Sequence, residues 1–174
     1  PAIDIRNGNC VRLEKGNVQT EVIFNPNPVE QAQKFENLGC KWIHIVDLDG
    51  AISGEQVNSD IIKNIRLKTK LKIQLGGGIR NIDSIKFWKD IGIDRVILGT
   101  LAVSSRETVM NALEELGEGI GIALDSRENY VATKGWLEDS TKNIFELAKS
   151  YEDSGIEVII FTDIDKDGLL EGLS

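Results

Sequence analysis

The sequence predicts an α/β protein, a (βα)8 barrel built from two half-barrel repeats. Three observations lead there. Short Val/Ile/Leu-rich runs alternate with longer stretches of helical periodicity, the rhythm of a parallel sheet coated by helices. The chain also repeats itself. Pro1-Ala2-Ile3-Asp4 is followed, 43 residues after Asp4, by Ile43-His44-Ile45-Val46-Asp47-Leu48-Asp49. Ile120-Gly121-Ile122-Ala123-Leu124-Asp125 is followed, 38 residues after Asp125, by Ile159-Ile160-Phe161-Thr162-Asp163-Ile164-Asp165. Finally, a four-unit repeat duplicated gives eight units, the number that closes a barrel. At most six strand-helix steps are present, so the last two units, roughly 60 residues, are expected to be missing from this stretch. An open doubly wound sheet satisfies the same rhythm but leaves the repeat unexplained.

The first strand is read at Ala2–Ile5, an apolar run ending beside Asp4. Asn7-Gly8 then supplies a tight turn into a short extra strand, Cys10–Glu14. Periodicity predicts helices over Val29–Leu38, Asn58–Leu67, Ile82–Ile91, Ser105–Leu116 and Asn143–Ser154. Asn81 and Ser104 stand where N-caps belong, and Gly39, Gly92 and Gly155 where helices stop. Between the helices run five further strands: Trp42–Leu48, Leu71–Leu75, Arg95–Leu98, Gly119–Leu124 and Val158–Phe161. Their near-continuous apolar character is that of strands covered on both faces. No linker divides the chain, so residues 1–174 are read as one domain, with half-barrels of about 1–117 and from about 118 onward.

Composition narrows the function. A formal charge of −8 argues against nucleic acid and against anionic membrane surfaces. No apolar run approaches the ~20 residues of a membrane helix, and no secretory signal is visible. Cys10 and Cys40 lack metal-ligand spacing and suit free thiols in a reducing cytoplasm.

In a barrel of this kind chemistry gathers at the carboxyl ends of the strands. Asp4 and Asp125 occupy equivalent places in the two halves, and a facing pair of carboxyls is equipment for proton transfer. Gly76-Gly77-Gly78 follows strand three, and Gly99-Thr100 follows strand four. Two adjacent strand-loop-helix steps with glycine at the turn form a cradle for one phosphate, with Arg80 nearby. The alternative is that the glycines make a tight turn. Thr162, Asp163, Asp165 and Asp167 crowd the end of strand six. Thr162 can donate to a reacting oxygen, whereas Asp163 and Asp165 read as turn residues before Gly168. No His or Cys spacing accompanies these carboxylates, so no metal is expected. His44 is the single histidine and sits inside strand two. Trp136, after Gly135 in the loop beyond strand five, is placed to stack on a substrate and close the site. Trp42 and Trp88 are read as packing residues.

Together, Pro1-Ala2-Ile3-Asp4, Val11-Arg12-Leu13, His44-Ile45-Val46-Asp47-Leu48, Gly76-Gly77-Gly78-Ile79-Arg80, Gly99-Thr100, Ala123-Leu124-Asp125, Gly135-Trp136 and Thr162 through Asp167-Gly168 resemble a known family in order and spacing. This is the phosphoribosylformimino-aminoimidazole carboxamide ribotide isomerase family of histidine biosynthesis. The resemblance covers the whole chain. It implies a (βα)8 barrel performing an Amadori rearrangement on a small molecule with a phosphate at each end, without cofactor or metal; separately, a monomer is expected. It also implies that Asp4 is the general base and Asp125 the general acid, with Thr162 and Asp167 at the reacting sugar. Arg80, Trp136 and His44 would contact the substrate, and Gly77, Gly78, Gly99 and Thr100 would hold one phosphate. The other phosphate site belongs to strands seven and eight, and a chain lacking them is expected to be inactive. Leu169 stands where the family usually has Thr, and Lys15–Phe24 looks shorter than the usual loop. Three alternatives remain open: the sister cyclase of the pathway, a dual-substrate isomerase that also accepts phosphoribosylanthranilate, and a partial barrel that binds without turnover.

Overall fold

Six parallel strands neighbour one another in chain order, and that order defines the architecture. The computed structural model describes residues 1–167 and 169. Strands β1 (Ala2–Arg6), β4 (Trp42–Asp47), β5 (Lys72–Gly76), β6 (Arg95–Leu98), β7 (Ile120–Arg127) and β10 (Ile159–Asp163) each pair in parallel with the next. The order never reverses, so the sheet lacks the switch point of a doubly wound fold.

Two antiparallel hairpins extend the sheet. β2 (Asn9–Glu14) folds back on β1, and β3 (Asn17–Asn25) folds back on β2. Asn7 and Gly8 both take positive φ in the first turn, as do Lys15 and Gly16 in the second, the geometry of tight hairpin turns. Lys15–Phe24, read from sequence as a short loop, is therefore a turn and a strand. Beyond β7, β8 (Tyr130–Thr133) and β9 (Glu138–Asn143) form the second hairpin, which periodicity missed.

The helices are α1 (Pro28–Asn37), α2 (Leu48–Ser53), α3 (Ser59–Lys68), α4 (Ile82–Ile91), α5 (Thr100–Ser104), α6 (Arg106–Leu116) and α7 (Ile144–Ser150). α4 begins in a capping box between Asn81 and Ser84 and ends at left-handed Gly92, as its sequence signals require. The cap of α6 is Ser105, not Ser104, because Ser104 closes the short helix α5. α7 stops at Ser150, four residues earlier than its periodicity suggested.

The core lies between sheet and helices. Side chains alternate across a strand, so Ile3, Ile45, Leu75, Val96 and Ile120, linked by register, share one face. All five are fully buried against a helical layer that includes Ile62, Ile65, Ile85 and Trp88. Burying each such side chain contributes about 1.5–3 kcal/mol. The opposite face mixes apolar Val46 and Ile97 with glycines and polar residues such as Asp4, His44 and Gln74, and it presents the chemistry.

Candidate active site

Register fixes which residues share this polar face. Asp4 lies opposite Val46, Val46 opposite Gly76, Gly76 opposite Ile97, and Ile97 opposite Gly121. Asp125 is four residues beyond Gly121 on β7, so period-two alternation returns it to the face of Asp4. Thr162 lies opposite Asp125 on β10 and shares the same face. The two repeat-equivalent carboxyls thus project from one side of the sheet.

Three carboxyls are electrostatically linked there. Asp4 is pushed up to about 6, first by burial and then by the Asp167 carboxylate, while Arg12 on β2 pulls it down. Asp167 is raised by burial and by the charge of Asp125. Asp125 is raised by burial, opposed by hydrogen bonds from Trp136 and Thr162 that favour its ionised form. The indole Nε1 of Trp136 donates to Asp125 Oδ2 at 2.9 Å. Arg12, named from sequence only within the Val11-Arg12-Leu13 motif and given no role there, reaches the field of Asp4 through the β1–β2 register.

Trp136 stands in the β8–β9 turn, where Lys134, Gly135 and Trp136 all adopt positive φ. The turn is held from several sides. Arg127 donates from Nη2 to the Trp136 carbonyl at 3.1 Å, and the Lys134 amide donates to Thr100 Oγ1 at 2.9 Å. Lys134 also pairs with Glu138. The tip of the β2–β3 hairpin arrives from the other side. The Lys15 amide donates to the Asp167 carbonyl at 3.1 Å, and Gly16 packs on the indole ring.

The glycines after β5 have a packing role of their own. Gly77 and Gly78 adopt φ of +97° and +73°, and a Cβ on them would overlap the carbonyls of Asp47 and Glu55. Their loop therefore nests against the loop after β4. Gly99 differs, since beyond its chain neighbours no atom of the described residues lies within 4 Å of where its Cβ would stand. Arg80 donates from Nη2 to the Ala51 carbonyl at 2.9 Å, and its buried Nε has no partner among the described residues.

Asp47 and Asp49 are scaffold. Buried Asp47 accepts from the Gly50 amide at 2.9 Å, the Asn58 amide at 3.0 Å and the Asn58 side chain at 2.7 Å. Asp49 accepts from the Asn7 amide at 2.7 Å and from Asn58 Nδ2 at 2.9 Å, tying the β1–β2 turn to the same loop.

His44 shares the face of Asp4, one row further toward the amino ends of the strands. It is paired with Ala2, two residues before the partner of Asp4, toward the amino end of its strand. Arg95 Nη1 donates to Gln74 Oε1 at 2.9 Å, which leaves the Gln74 amide to face His44 Nδ1 at 2.9 Å. Arg95 Nε also donates to Glu157 Oε2 at 2.7 Å. Burial lowers the His44 pKa, keeping the ring neutral. Trp42, read as packing, is partly exposed here, with the Arg95 guanidinium and Lys72 ammonium over its ring at 4.9 and 5.3 Å.

Gly168 lies outside the described residues. Among the described residues no cluster of His, Cys, Asp and Glu is arranged to hold a metal ion, and no helix is long and apolar enough to cross a membrane.

Comparison with known proteins places these residues in context. A model of the family described as histidine biosynthesis protein matches residues 1–174. A relative from Campylobacter hominis is 48% identical over 174 residues, covering all of this chain and 73% of the relative. One from Clostridium acetobutylicum is 47% identical over 172 residues, covering 99% and 72%. One from Rhizobium etli is 45% identical over 174 residues, covering all of the chain and 70% of the relative. All three bear the name 1-(5-phosphoribosyl)-5-((5-phosphoribosylamino)methylideneamino) imidazole-4-carboxamide isomerase.

Proposed function

The chain belongs to the histidine biosynthesis protein family, and on that premise we propose that it is the aldose–ketose isomerase named in its relatives. The reaction is an Amadori rearrangement of a bis-phosphorylated imidazole carboxamide ribotide. The carrying observation is the pair Asp4 and Asp125 on one face of the sheet, both raised, with Asp167 from the turn after β10 electrostatically linked to each.

Asp125 is the general acid. Its proton goes to the ribose ring oxygen, the bond from that oxygen to C1 breaks, and the amine nitrogen's lone pair completes a Schiff base. Asp4 is the general base, taking the proton from C2. The C2 electron pair forms the C1–C2 double bond as the C1–N π pair returns to nitrogen, and the resulting enaminol gains a proton at C1 and loses its O2 hydroxyl proton to leave the ketone. Burial supports an acid that keeps its proton toward neutral pH, and a base at about 6 is ionised yet still basic at pH 7. Thr162, hydrogen-bonded to Asp125, and Asp167, beside both carboxyls, attend the sugar.

Gly99 and Thr100, with the loop of Gly77 and Gly78, take one phosphate. The open space at Gly99 supports this, while Gly77 and Gly78 serve by shaping the loop. Arg80 and Trp136 hold the substrate. In this reading His44 belongs to the Gln74–Arg95 network rather than to the substrate.

The fold completing the site is a (βα)8 barrel with two further units. The register supports it: Asp125 lies four residues past the row of Asp4 after four strand steps, and a barrel of eight strands and shear 8 shifts by four over half its circumference. That shift brings both carboxyls to one height at the mouth. The test is turnover of the ribotide by the purified full-length protein, carrying all eight units, with phosphoribosylanthranilate as the control substrate. Ketone product from the ribotide supports the proposal; tight binding without turnover would sink it.

A further inference from the structure

We propose that Gly16 is a positioning residue for Asp125, acting through the indole of Trp136; this rests on the reading of Asp125 as the general acid. Gly16 lies far from Asp125 and Trp136 in sequence, at the tip of a hairpin that periodicity did not reveal. A Cβ placed on Gly16 would overlap the six-membered ring of Trp136, at Cε3 and Cζ3. The absent side chain therefore sets how closely the hairpin tip backs the indole.

The tip cannot simply retreat, because the neighbouring Lys15 amide is bonded to the Asp167 carbonyl at 3.1 Å. Nor is the Trp136 backbone free to yield, since Arg127 and, through Lys134, Thr100 hold its turn. The indole is thus clamped between Gly16 and Asp125, with Nε1 on Oδ2 at 2.9 Å. Any side chain at position 16 forces the ring to move, and the motion left to it breaks that hydrogen bond. The indole N–H donates only, so a lost acceptor is not replaced from within the ring. A donated hydrogen bond favours the carboxylate, so its loss makes Asp125 hold its proton more tightly.

The experiment is a pH titration of the Trp136 indole ¹⁵N–H signal in the intact protein, assigned with Trp136→Phe. Asp125→Asn identifies the titrating group, and the signal of buried Trp88 reports that the fold persists. Gly16→Ala and Gly16→Asn are both measured, because φ of +66° strains Ala whereas Asn tolerates left-handed backbone. The expected result is the same for both: the Trp136 signal moves to the position of an unbonded indole and stops titrating. The basic limb of the kcat–pH profile then moves to higher pH. Trp136→Phe gives the same limb, and adding Gly16→Ala to it changes nothing further. A wild-type signal in both variants, or a change with Ala alone, overturns the proposal. If the indole moves and the limb stays, the contact is upheld and the reading of Asp125 as the acid falls.

Discussion

The indole N–H of Trp136 donates to the carboxylate of Asp125 at 2.9 Å, across a hairpin that separates them by 11 residues. Burial alone would drive Asp125 strongly toward its neutral form, and this bond, with that of Thr162, moderates the drive. The donors thus set how firmly a buried acid holds its proton. Asp4 lacks any such indole donor. Its counterweight is the charge of Arg12, and it is raised to about 6.

Asp4 carries a pH-dependent cost. Its folded-state value of about 6 exceeds the ordinary 3.8, so the folded protein disfavours its ionised form. Below about 3.8 both states are protonated and the cost vanishes; it accumulates as pH rises and is complete above about 6. Asp4→Asn should therefore match the wild type near pH 3.5 and exceed its stability by about 1–3 kcal/mol at pH 7.5. Urea denaturation at the two pH values checks this, and an equal difference at both would refute it.

Asp47 holds the loop after β4 through three donors. Asp47→Ala leaves the amides of Gly50 and Asn58 and the Asn58 side chain without their acceptor in a buried site. The expected loss is about 3 kcal/mol in equilibrium denaturation. A loss below about 0.5 kcal/mol would show that the loop is held some other way.

A negative charge at the start of α5 should repel a phosphate. Thr100→Asp is expected to raise the KM for the ribotide at least tenfold and to weaken inhibition by inorganic phosphate, both read from steady-state kinetics. Unchanged values would move the phosphate away from Gly99 and Thr100.

Much of this was legible in the chain. α4 carries its period, its Asn81 cap and its Gly92 stop within a dozen residues, and both of its ends were read correctly. The six parallel strands were visible because their apolar runs are short and nearly continuous, bounded by turn residues and helical periodicity. β9, with the sequence EDSTKN, is exposed and polar and reads as loop. β3 is an edge strand whose apolar Val22, Ile23 and Phe24 face solvent, so no alternation marked it. α5 is only five residues long and too short to show a period. The carboxyl pair was legible through the repeat. The clamp of Gly16 on Trp136 was not, because it joins two hairpin turns about 120 residues apart and leaves no local pattern. His44 was given a substrate contact only by the resemblance, and its register pairs it with Ala2 and Gln74.

The most direct test of the central claim is kcat and KM for the ribotide in Asp4→Asn and Asp125→Asn, beside the wild type. If the two carboxyls divide the acid and base roles on one sugar, each variant loses at least 1,000-fold in kcat, within the range of general acid–base catalysis, while KM stays within a few-fold. Wild-type kcat in either variant would contradict the account.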